Sequence, residues 1–263
     1  AAQEGFLGAF DLAEKAIVGT GVALLGHLTV FLAEPGEPQR YGHPRFSCAE
    51  YGAKKVLEVV RMNSKQKVLA ITGSYREGGI TDQTVARVIE NLKGLDADVE
   101  HIKLRELPIE FCRNCRQCMQ QPGDDPGKCV LRDGMAELIK KIEAADAYIL
   151  AAPTNFSSVT ALFKRFAERL AVYGYWPWGK AAPVFRKAKM RKKPAIIISS
   201  CAAPGLMGRL TYNTNKSLKI AADTMGARVV GSMVTGLISQ EHKPELPRRT
   251  QRRAARLAPR LLA

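Results

Sequence analysis

From residue 67 onward, short runs of apolar residues alternate with longer stretches in which apolar residues recur every three or four positions. The short runs are rich in Val, Ile and Ala and do not alternate with polar residues, which is typical of strands that are covered on both faces. They predict five strands, at residues 67–72, 99–104, 147–152, 194–199 and 228–234. The longer stretches predict helices at residues 81–92, 133–144, 158–172 and 213–225.

Strands that alternate with helices in this way favour right-handed crossovers and a parallel sheet covered by helices on both faces. We therefore expect an α/β fold, a doubly wound five-stranded parallel sheet, over residues 65–240. Residues 1–64 do not follow the pattern and are expected to form an N-terminal helical extension. Residues 241–263 are expected to form a basic C-terminal tail.

The N-terminal extension contains one long uncharged stretch. Residues 16–33 are 18 positions without a formal charge, close to the about 20 apolar residues that a membrane helix needs. Glycines, threonines and His27 lower its hydrophobicity, and its flanks show no excess of positive charge on one side. We expect a helix packed against the domain or a partner subunit, with membrane contact as the less favoured alternative. Residues 49–62 predict an amphipathic helix that leads into the first strand.

Composition bounds the protein class. The hydrophobic fraction of 46% is ordinary for a globular protein. Four of the six cysteines lie close together in one segment, which does not resemble a secreted disulfide framework. The first residues lack the basic region of a signal peptide. These observations together predict a cytoplasmic protein.

The net charge of +15 is unevenly distributed. Residues 65–240 hold 27 basic and 16 acidic residues, and residues 241–263 hold 7 and 2. A basic stretch at residues 180–193 has no acid and contains Lys180, Arg186, Lys187, Lys189, Arg191, Lys192 and Lys193. It favours an anionic partner, such as a phosphorylated cofactor or an acidic electron-transfer protein, although a solvated surface loop is the simpler interpretation. No zinc-finger or RNA-recognition signature is present, so no nucleic acid is expected.

The cysteine pattern carries the most specific chemistry. Four cysteines are spaced Cys112-x2-Cys115-x2-Cys118-x10-Cys129. Iron–sulfur clusters take four thiolates, and compact C-x2-C-x2-C runs are a recurrent source of them. Zinc also takes four cysteines, usually from paired C-x2-C units. The alternatives are therefore an iron–sulfur cluster, which the pattern favours, a zinc site, or thiols that bind no metal.

The Gly-rich segment at residues 72–82 predicts a phosphate site. In a doubly wound sheet, ligands bind beyond the carboxyl ends of the strands, where the strand order reverses. Ser74 and Thr81 offer hydroxyls, Arg76 offers charge, and the next helix adds the positive end of its dipole. The segment is neither a P-loop nor a G-x-G-x-x-G fingerprint, so a phosphate monoester fits better than a nucleoside triphosphate or NAD. A plain Gly-rich turn is the alternative.

Three segments together resemble a known family. They are Gly73-Ser-x-Arg-x-x-Gly-x-Thr81 after the first strand, the cysteine run after the second, and Pro153-Thr-Asn-Phe-Ser-Ser158 after the third. In this order they resemble the flavodoxin-like, NAD(P)H-dependent FMN reductases and, more narrowly, the iron–sulfur flavoproteins among them. The resemblance covers residues 65–238. It implies a flavodoxin-like fold, bound FMN, and a homodimer or homotetramer.

The resemblance also implies site residues. The FMN phosphate would be held by Ser74, Arg76 and Thr81. The isoalloxazine would be flanked by Pro153, Thr154, Asn155, Phe156 and Ser158. Residues 199–205, with Ser200 and Cys201, would line its other side, although Cys201 taken alone reads as a small buried hydrophobe. A cluster, expected to be 4Fe-4S, would be held by Cys112, Cys115, Cys118 and Cys129.

Three functions remain open on the sequence. The favoured one is an FMN-dependent oxidoreductase that passes electrons from NAD(P)H or a ferredoxin-like donor to a quinone, a flavin or a small electrophile. The second is an electron-transfer flavoprotein module without its own substrate, which docks an acidic or membrane-associated partner. The third is a scaffold subunit that has lost its cofactor. The aromatic segment at residues 173–178 is either an interface plug or a platform over the flavin. No hydrolytic set is visible among the scattered histidines.

Overall fold

The structure is a computed structural model that describes residues 65–190, 192–238 and 243–263, which belong to one compact unit. The described residues form eight strands: β1 (Lys67–Thr72), β2 (Asp98–Lys103), β3 (Ala147–Asn155), β4 (Ser158–Val159), β5 (Gly174–Tyr175), β6 (Val184–Phe185), β7 (Lys193–Ser200) and β8 (Ala227–Thr235). They also form seven α-helices: α1 (Ile80–Gly94), α2 (Gly134–Ala144), α3 (Ala161–Arg169), α4 (Gly205–Thr211), α5 (Thr214–Thr224), α6 (Arg248–Ala255) and α7 (Pro259–Leu262).

The central sheet has the strand order β2-β1-β3-β7-β8, and all four pairings are parallel. β4 pairs antiparallel with the end of β3, and β5 pairs with β6 in a separate hairpin. The chain moves outward from β1 to β2 and then returns to the other side of β1 as β3. The order therefore reverses between β1 and β3, the position at which ligands bind in such folds. The predicted doubly wound parallel sheet is confirmed.

Helices cover both faces of the sheet. One face is buried by apolar side chains of α2, α3 and α5, among them Leu138, Phe163 and Leu218. The other face is buried by α1, α6 and α7, through residues such as Val88 and Leu261. Because both faces of the sheet are covered, the side chains on both sides of each central strand are excluded from water. This explains why the strand sequences are continuous apolar runs.

Two segments differ from the predicted pattern. The helix predicted at residues 158–172 begins later, because Ser158 and Val159 pair with β3 and Thr160 caps α3 by accepting a hydrogen bond from the Phe163 amide. Its last turn is a 3-10 helix, Leu170–Tyr173. The predicted basic tail is also not a free segment: its residues from 243 onward include α6 and α7, and Leu257 and Leu261 are buried against the sheet.

The predictions for the N-terminal extension, including the helices at residues 16–33 and 49–62, lie outside the described residues. Among the residues that the structure does describe, no helix is long and apolar enough to cross a membrane.

Candidate functional site

The carboxyl ends of β1, β3 and β7 lie side by side at one edge of the sheet, and Gly73 is the first residue beyond β1. Its amide donates to the Ala151 carbonyl at 2.7 Å, and the Thr160 hydroxyl donates to its carbonyl at 2.6 Å. A Cβ at this position would lie 2.6 Å from the Cβ of Phe163. Only glycine therefore allows the loop that follows β1 to pack this closely against α3.

The hydroxyls predicted to bind a phosphate are buried at this edge. The Ser74 hydroxyl donates to the Arg76 carbonyl at 3.0 Å and so shapes the loop itself. Thr81, in the first turn of α1, lies with its Oγ1 2.7 Å from the Oγ of Ser200 at the end of β7. Thr81 and Ser200 are both almost fully buried. The structure thus joins two of the segments that the sequence assigned to one site, 119 residues apart in the chain.

The amino terminus of α1 faces the same loop. Its N-cap residue is Gly79, and no side chain caps the helix. The first amides of a helix have no partner within it, and together with the helix dipole they form a ready site for an anion. Arg105, which the sequence pattern did not single out, lies at the base of the loop: its Nη1 is 3.3 Å from the Ser74 carbonyl oxygen and 2.8 Å from Asp82 Oδ2.

The segment predicted to flank a flavin ring has unusual backbone geometry. Pro153, Thr154 and Asn155 end β3, and the next two residues, Phe156 and Ser157, have left-handed φ angles of 47° and 61°. Such conformations cost free energy in residues other than glycine and cluster at functional sites. The loop is tied down: the Ser157 carbonyl accepts from the Asn213 amide at 2.8 Å. Phe156 nevertheless projects fully into solvent.

Hydroxyl pairs connect this loop to the first turn of α5. Thr154 Oγ1 lies 2.8 Å from Thr214 Oγ1, and Ser158 Oγ lies 3.4 Å from Ser217 Oγ. The predicted ring-flanking residues are therefore held by β3, β4 and α5 together. Cys201 differs from them, because its side chain is buried beneath α4 and its thiol donates to the Ala203 carbonyl at 3.3 Å. Burial raises the pKa of the Cys201 thiol.

The four predicted metal ligands lie in the long connection after β2, and Cys112, Cys115, Cys118 and Cys129 all line one small cavity. Burial raises the pKa of Cys118 to about 11, and the other three thiols add to that rise. Among the described residues, however, no three His, Cys, Asp or Glu side chains lie close enough together to hold a metal ion as they stand. The four thiols have the chemistry that a cysteine-ligated cluster requires. The cavity that they line would have to contract for all four to ligate such a cluster.

A buried ion pair supports this cavity from α3. Arg169 is 2% exposed, and its two terminal nitrogens lie 2.6 and 3.0 Å from the two carboxylate oxygens of Asp133. The same guanidinium donates to the Glu110 carbonyl at 2.8 Å and lies 3.6 Å from the Cys129 sulfur. Asp133 also caps α2, because its Oδ1 accepts from the Met135 amide. The pair therefore fixes both ends of the cysteine segment. No local sequence pattern predicts this ion pair.

Burial alone would raise the pKa of Asp133. The Arg169 guanidinium and the amides of Glu110 and Met135 more than offset that effect and hold the pKa of this carboxyl below its usual value. Asp133 is thus expected to be ionised at neutral pH, as a partner for Arg169 must be.

A second arginine anchors the loop between Cys115 and Cys118. Arg116 adopts a left-handed φ of 57°, and its guanidinium carbon lies 3.7 Å from the ring centroid of Trp176 and 4.4 Å from that of Trp178. It also donates to the Trp176 carbonyl at 2.7 Å. The aromatic segment at residues 173–178 therefore braces the cysteine loop, a role that the sequence pattern did not suggest.

The basic stretch at residues 180–193 is used largely within the protein. The Lys187 ammonium pairs with Glu143 Oε2 at 2.5 Å, and Lys193 donates to the Glu143 carbonyl at 2.8 Å. Buried Arg186 donates to four backbone carbonyls around the cysteine loop, those of Val172, Gly123, Cys118 and Gln121. The expectation that these side chains face an anionic partner is wrong for these three; Arg191 lies outside the described residues.

Two curated relatives share part of this sequence. An iron–sulfur flavoprotein of Archaeoglobus fulgidus is 33% identical over 111 residues, which cover 42% of this chain and 48% of that protein. An iron–sulfur flavoprotein of Methanocaldococcus jannaschii is 31% identical over 103 residues, which cover 39% of this chain and 51% of that protein. The chain thus spans about half the length of these curated relatives.

Solved structures share the fold at low sequence identity. An NAD(P)H:quinone oxidoreductase from Methanothermobacter marburgensis is 16% identical with a TM-score of 0.59, covering 76% of this chain and 100% of that chain. An FMN-dependent NADH-azoreductase from Bacillus anthracis, solved with FMN, is 13% identical with a TM-score of 0.55, covering 75% of this chain and 100% of that chain. The sequence profile described as NADPH-dependent FMN reductase matches residues 66–239. Because that match covers more than half of this chain, the chain belongs to the family of NADPH-dependent FMN reductases.

Proposed function

We propose that this chain is an FMN-dependent oxidoreductase that passes electrons from NAD(P)H or a ferredoxin-like donor to a quinone, another flavin or a small electrophile. The observation that carries the proposal is the meeting of an uncapped helix terminus, buried hydroxyls and a left-handed, solvent-exposed loop at the reversal point of the sheet. FMN, when bound there, supplies both two-electron and one-electron chemistry.

Each segment has a distinct role in the proposed site. The first amides of α1, with Ser74 and Arg76, would hold the FMN phosphate. The bond between Thr81 and Ser200 fixes that phosphate loop relative to the end of β7. Residues 153–158 would flank the flavin ring, where their backbone amides would stabilise negative charge. Phe156, which is fully exposed in the structure, would cover the flavin ring and exclude water from it.

We further propose that Cys112, Cys115, Cys118 and Cys129 hold a 4Fe-4S cluster, which would supply one-electron transfer beside the flavin. Two observations support it beyond the spacing. The four side chains share one cavity, and the Arg169 guanidinium lies 3.6 Å from the Cys129 sulfur, where its positive charge would offset the negative charge of a cysteine-ligated cluster. Zinc in the same four thiols is the competing outcome.

The alternative function, an electron-transfer module that docks an acidic partner, rested on the basic stretch at residues 180–193. It loses part of that support, because Arg186, Lys187 and Lys193 are engaged inside the protein. A homodimer or homotetramer and a cytoplasmic location remain predictions.

Spectroscopy of protein purified without oxygen tests the proposed function directly. We expect flavin absorption that bleaches on addition of NADPH, NADH or a reduced ferredoxin and returns on addition of a quinone. A protein that binds no FMN under these conditions would contradict the proposal. Bleaching that no small acceptor reverses would favour the electron-transfer module instead.

Replacing Arg76 with alanine should weaken FMN binding by about 1.5–3 kcal/mol, the value of one hydrogen bond to a charged group. Titration of apoprotein with FMN, followed by quenching of flavin fluorescence, measures this. Lys93→Ala removes the same charge from the exposed last turn of α1 and serves as the matched control. Equal FMN affinities in the Arg76→Ala variant and the wild type would show that the phosphate lies elsewhere.

Replacing Cys115 with serine should abolish binding of iron and acid-labile sulfide while FMN remains bound, because the two proposed sites use different loops. Metal and sulfide analysis of anaerobic preparations provides the measurement. Cys201→Ser is the control, because this thiol is buried beneath α4 and is not one of the four proposed ligands. The Cys201→Ser variant should therefore bind as much iron as the wild type. Stoichiometric zinc without iron in the wild type would support a structural metal site in place of a cluster.

A further inference from the structure

A larger cavity lies at the carboxyl end of β8, between α4 and α6. It measures about 520 Å³, within the usual range for small-molecule sites. Its rim includes Pro204 and Gly205, from the loop predicted to line the flavin, but no residue of the proposed phosphate loop or the cysteine loop. Its polar lining consists of Arg209, Ser232, Thr235, Arg249, Thr250 and Arg253.

The cavity concentrates positive charge. Arg209 reaches it from α4, and Arg249 and Arg253 reach it from successive turns of α6. No acidic residue is among the described residues that line it. Like charges four residues apart on a helix repel each other. Arg249 also lies in the first turn of α6, where the helix dipole is positive, and the N-cap residue, Pro247, makes no capping hydrogen bond. An anion in the cavity would relieve all of these repulsions.

Thr235 provides an independent observation. This residue is 7% exposed and lines the cavity, and its buried Oγ1 has no hydrogen-bond partner within the described part of the chain. Buried hydroxyls are almost always bonded, so a ligand or a water molecule that reached this one would satisfy it.

The rest of the wall combines closely packed backbone with apolar side chains. A Cβ on Gly236 would lie 2.2 Å from the Gly205 nitrogen, so the two backbones meet closely there. Leu206, Val234 and Leu237 add apolar surface. Three guanidiniums that approach from two helices suit the several oxygens of a phosphate better than the two oxygens of a carboxylate. The cavity is also larger than one phosphate group requires.

We propose that this cavity binds a small organic phosphate, with the phosphate held by Arg209, Arg249, Arg253 and the Thr235 hydroxyl, and the organic part against Leu206 and Val234. The site is separate from the proposed FMN phosphate loop and does not depend on FMN being the cofactor.

Calorimetric titration with phenyl phosphate at 150 mM salt, with and without excess FMN, tests the proposal. We expect binding that persists in the presence of FMN. Arg249→Gln/Arg253→Gln should weaken it by at least about tenfold, since charge-assisted hydrogen bonds are lost. The control, Arg248→Gln/Arg252→Gln, removes the same charge from the same helix at positions that do not line the cavity, and it should bind as the wild type does.

Thr235→Val preserves the side-chain shape and should weaken binding by about two- to tenfold, the effect of one neutral hydrogen bond. Unchanged affinity in this variant would overturn the role of the hydroxyl. Binding that FMN abolishes, or that both arginine pairs weaken equally, would overturn the site itself, since it would reflect the FMN loop or net charge alone.

Competition then identifies the source of the phosphate. If NADPH displaces phenyl phosphate and NADH does not, the cavity holds the 2′-phosphate of the electron donor. If neither nucleotide displaces it, the cavity holds a separate phosphorylated molecule. If NADPH and NADH displace phenyl phosphate equally well, the cavity holds the diphosphate that the two nucleotides share.

Discussion

Replacing Arg169 with leucine is expected to lower the free energy of unfolding by about 3–5 kcal/mol, because it leaves the buried carboxylate of Asp133 without its partner. The variant should also bind less iron, since Arg169 contacts the Cys129 sulfur and holds the Glu110 carbonyl near the first cysteine. Urea denaturation gives the stability, and iron analysis of anaerobic protein gives the occupancy.

Two comparisons make this prediction specific. Lys164→Leu removes the same charge from the exposed face of α3, where its ion pair with Glu168 is at the surface, and should cost less than about 1 kcal/mol. Arg169→Leu/Asp133→Asn should recover part of the loss, because asparagine removes the buried charge and still caps α2. A double variant no more stable than Arg169→Leu would show that the charge of Asp133 is not the cause.

The effect should depend on pH. The pKa of Asp133 is lowered in the folded protein, so its contribution is present above its unfolded pKa of about 3.9 and is lost as pH falls through the folded value. The stability difference between wild type and Arg169→Leu should therefore narrow below about pH 4. A difference that stays constant down to pH 3 would argue for lost packing alone.

Replacing Gly127 with alanine is expected to open the cysteine loop. A Cβ there would lie 1.8 Å from the Cys118 carbonyl oxygen, a backbone atom that cannot rotate away. The Gly127 amide also donates to the Val172 carbonyl at 2.8 Å, which keeps the segment in place. Relief of the clash must separate Cys118 from Cys129, so we expect a loss of iron together with about 1–3 kcal/mol of stability.

Gly94→Ala is the matched control, because a Cβ at the end of α1 would meet nothing within 4 Å. Its stability should be unchanged or slightly raised, as alanine favours a helix over glycine. Full iron occupancy in Gly127→Ala would show that the loop is malleable enough to absorb the added methyl group.

The sheet was predictable because strands that are buried on both faces have continuous apolar sequences. The edge of the sheet where ligands bind followed from the topology, so Ser74 and Thr81 could be assigned to it before any contact was known. Ser200 was added to the site by the family resemblance. The C-terminal helices were predictable in part. Ala254, Leu257, Ala258 and Leu261 have the spacing of one helical face, but the surrounding arginines led to the prediction of a basic tail without helices.

The arginines that support the cysteine loop could not have been predicted. Charged residues are usually exposed, and sequence offers no sign that Arg116, Arg169 and Arg186 are engaged by partners from distant segments. Arg186 illustrates the reason. Its position within a run of cations suggested a surface for a partner, whereas its four carbonyl acceptors come from residues 14 to 68 positions away.

The contact between Arg116 and its two aromatic neighbours has an optical consequence. Trp176 and Trp178 are the two tryptophans of the entire chain, and both rings lie against the guanidinium between Cys115 and Cys118. The tryptophan emission of this protein therefore originates beside the cysteines and not from its core. Any event that shifts that loop, including uptake of a metal, should alter this emission, so the native protein carries its own fluorescent reporter of the cysteine site.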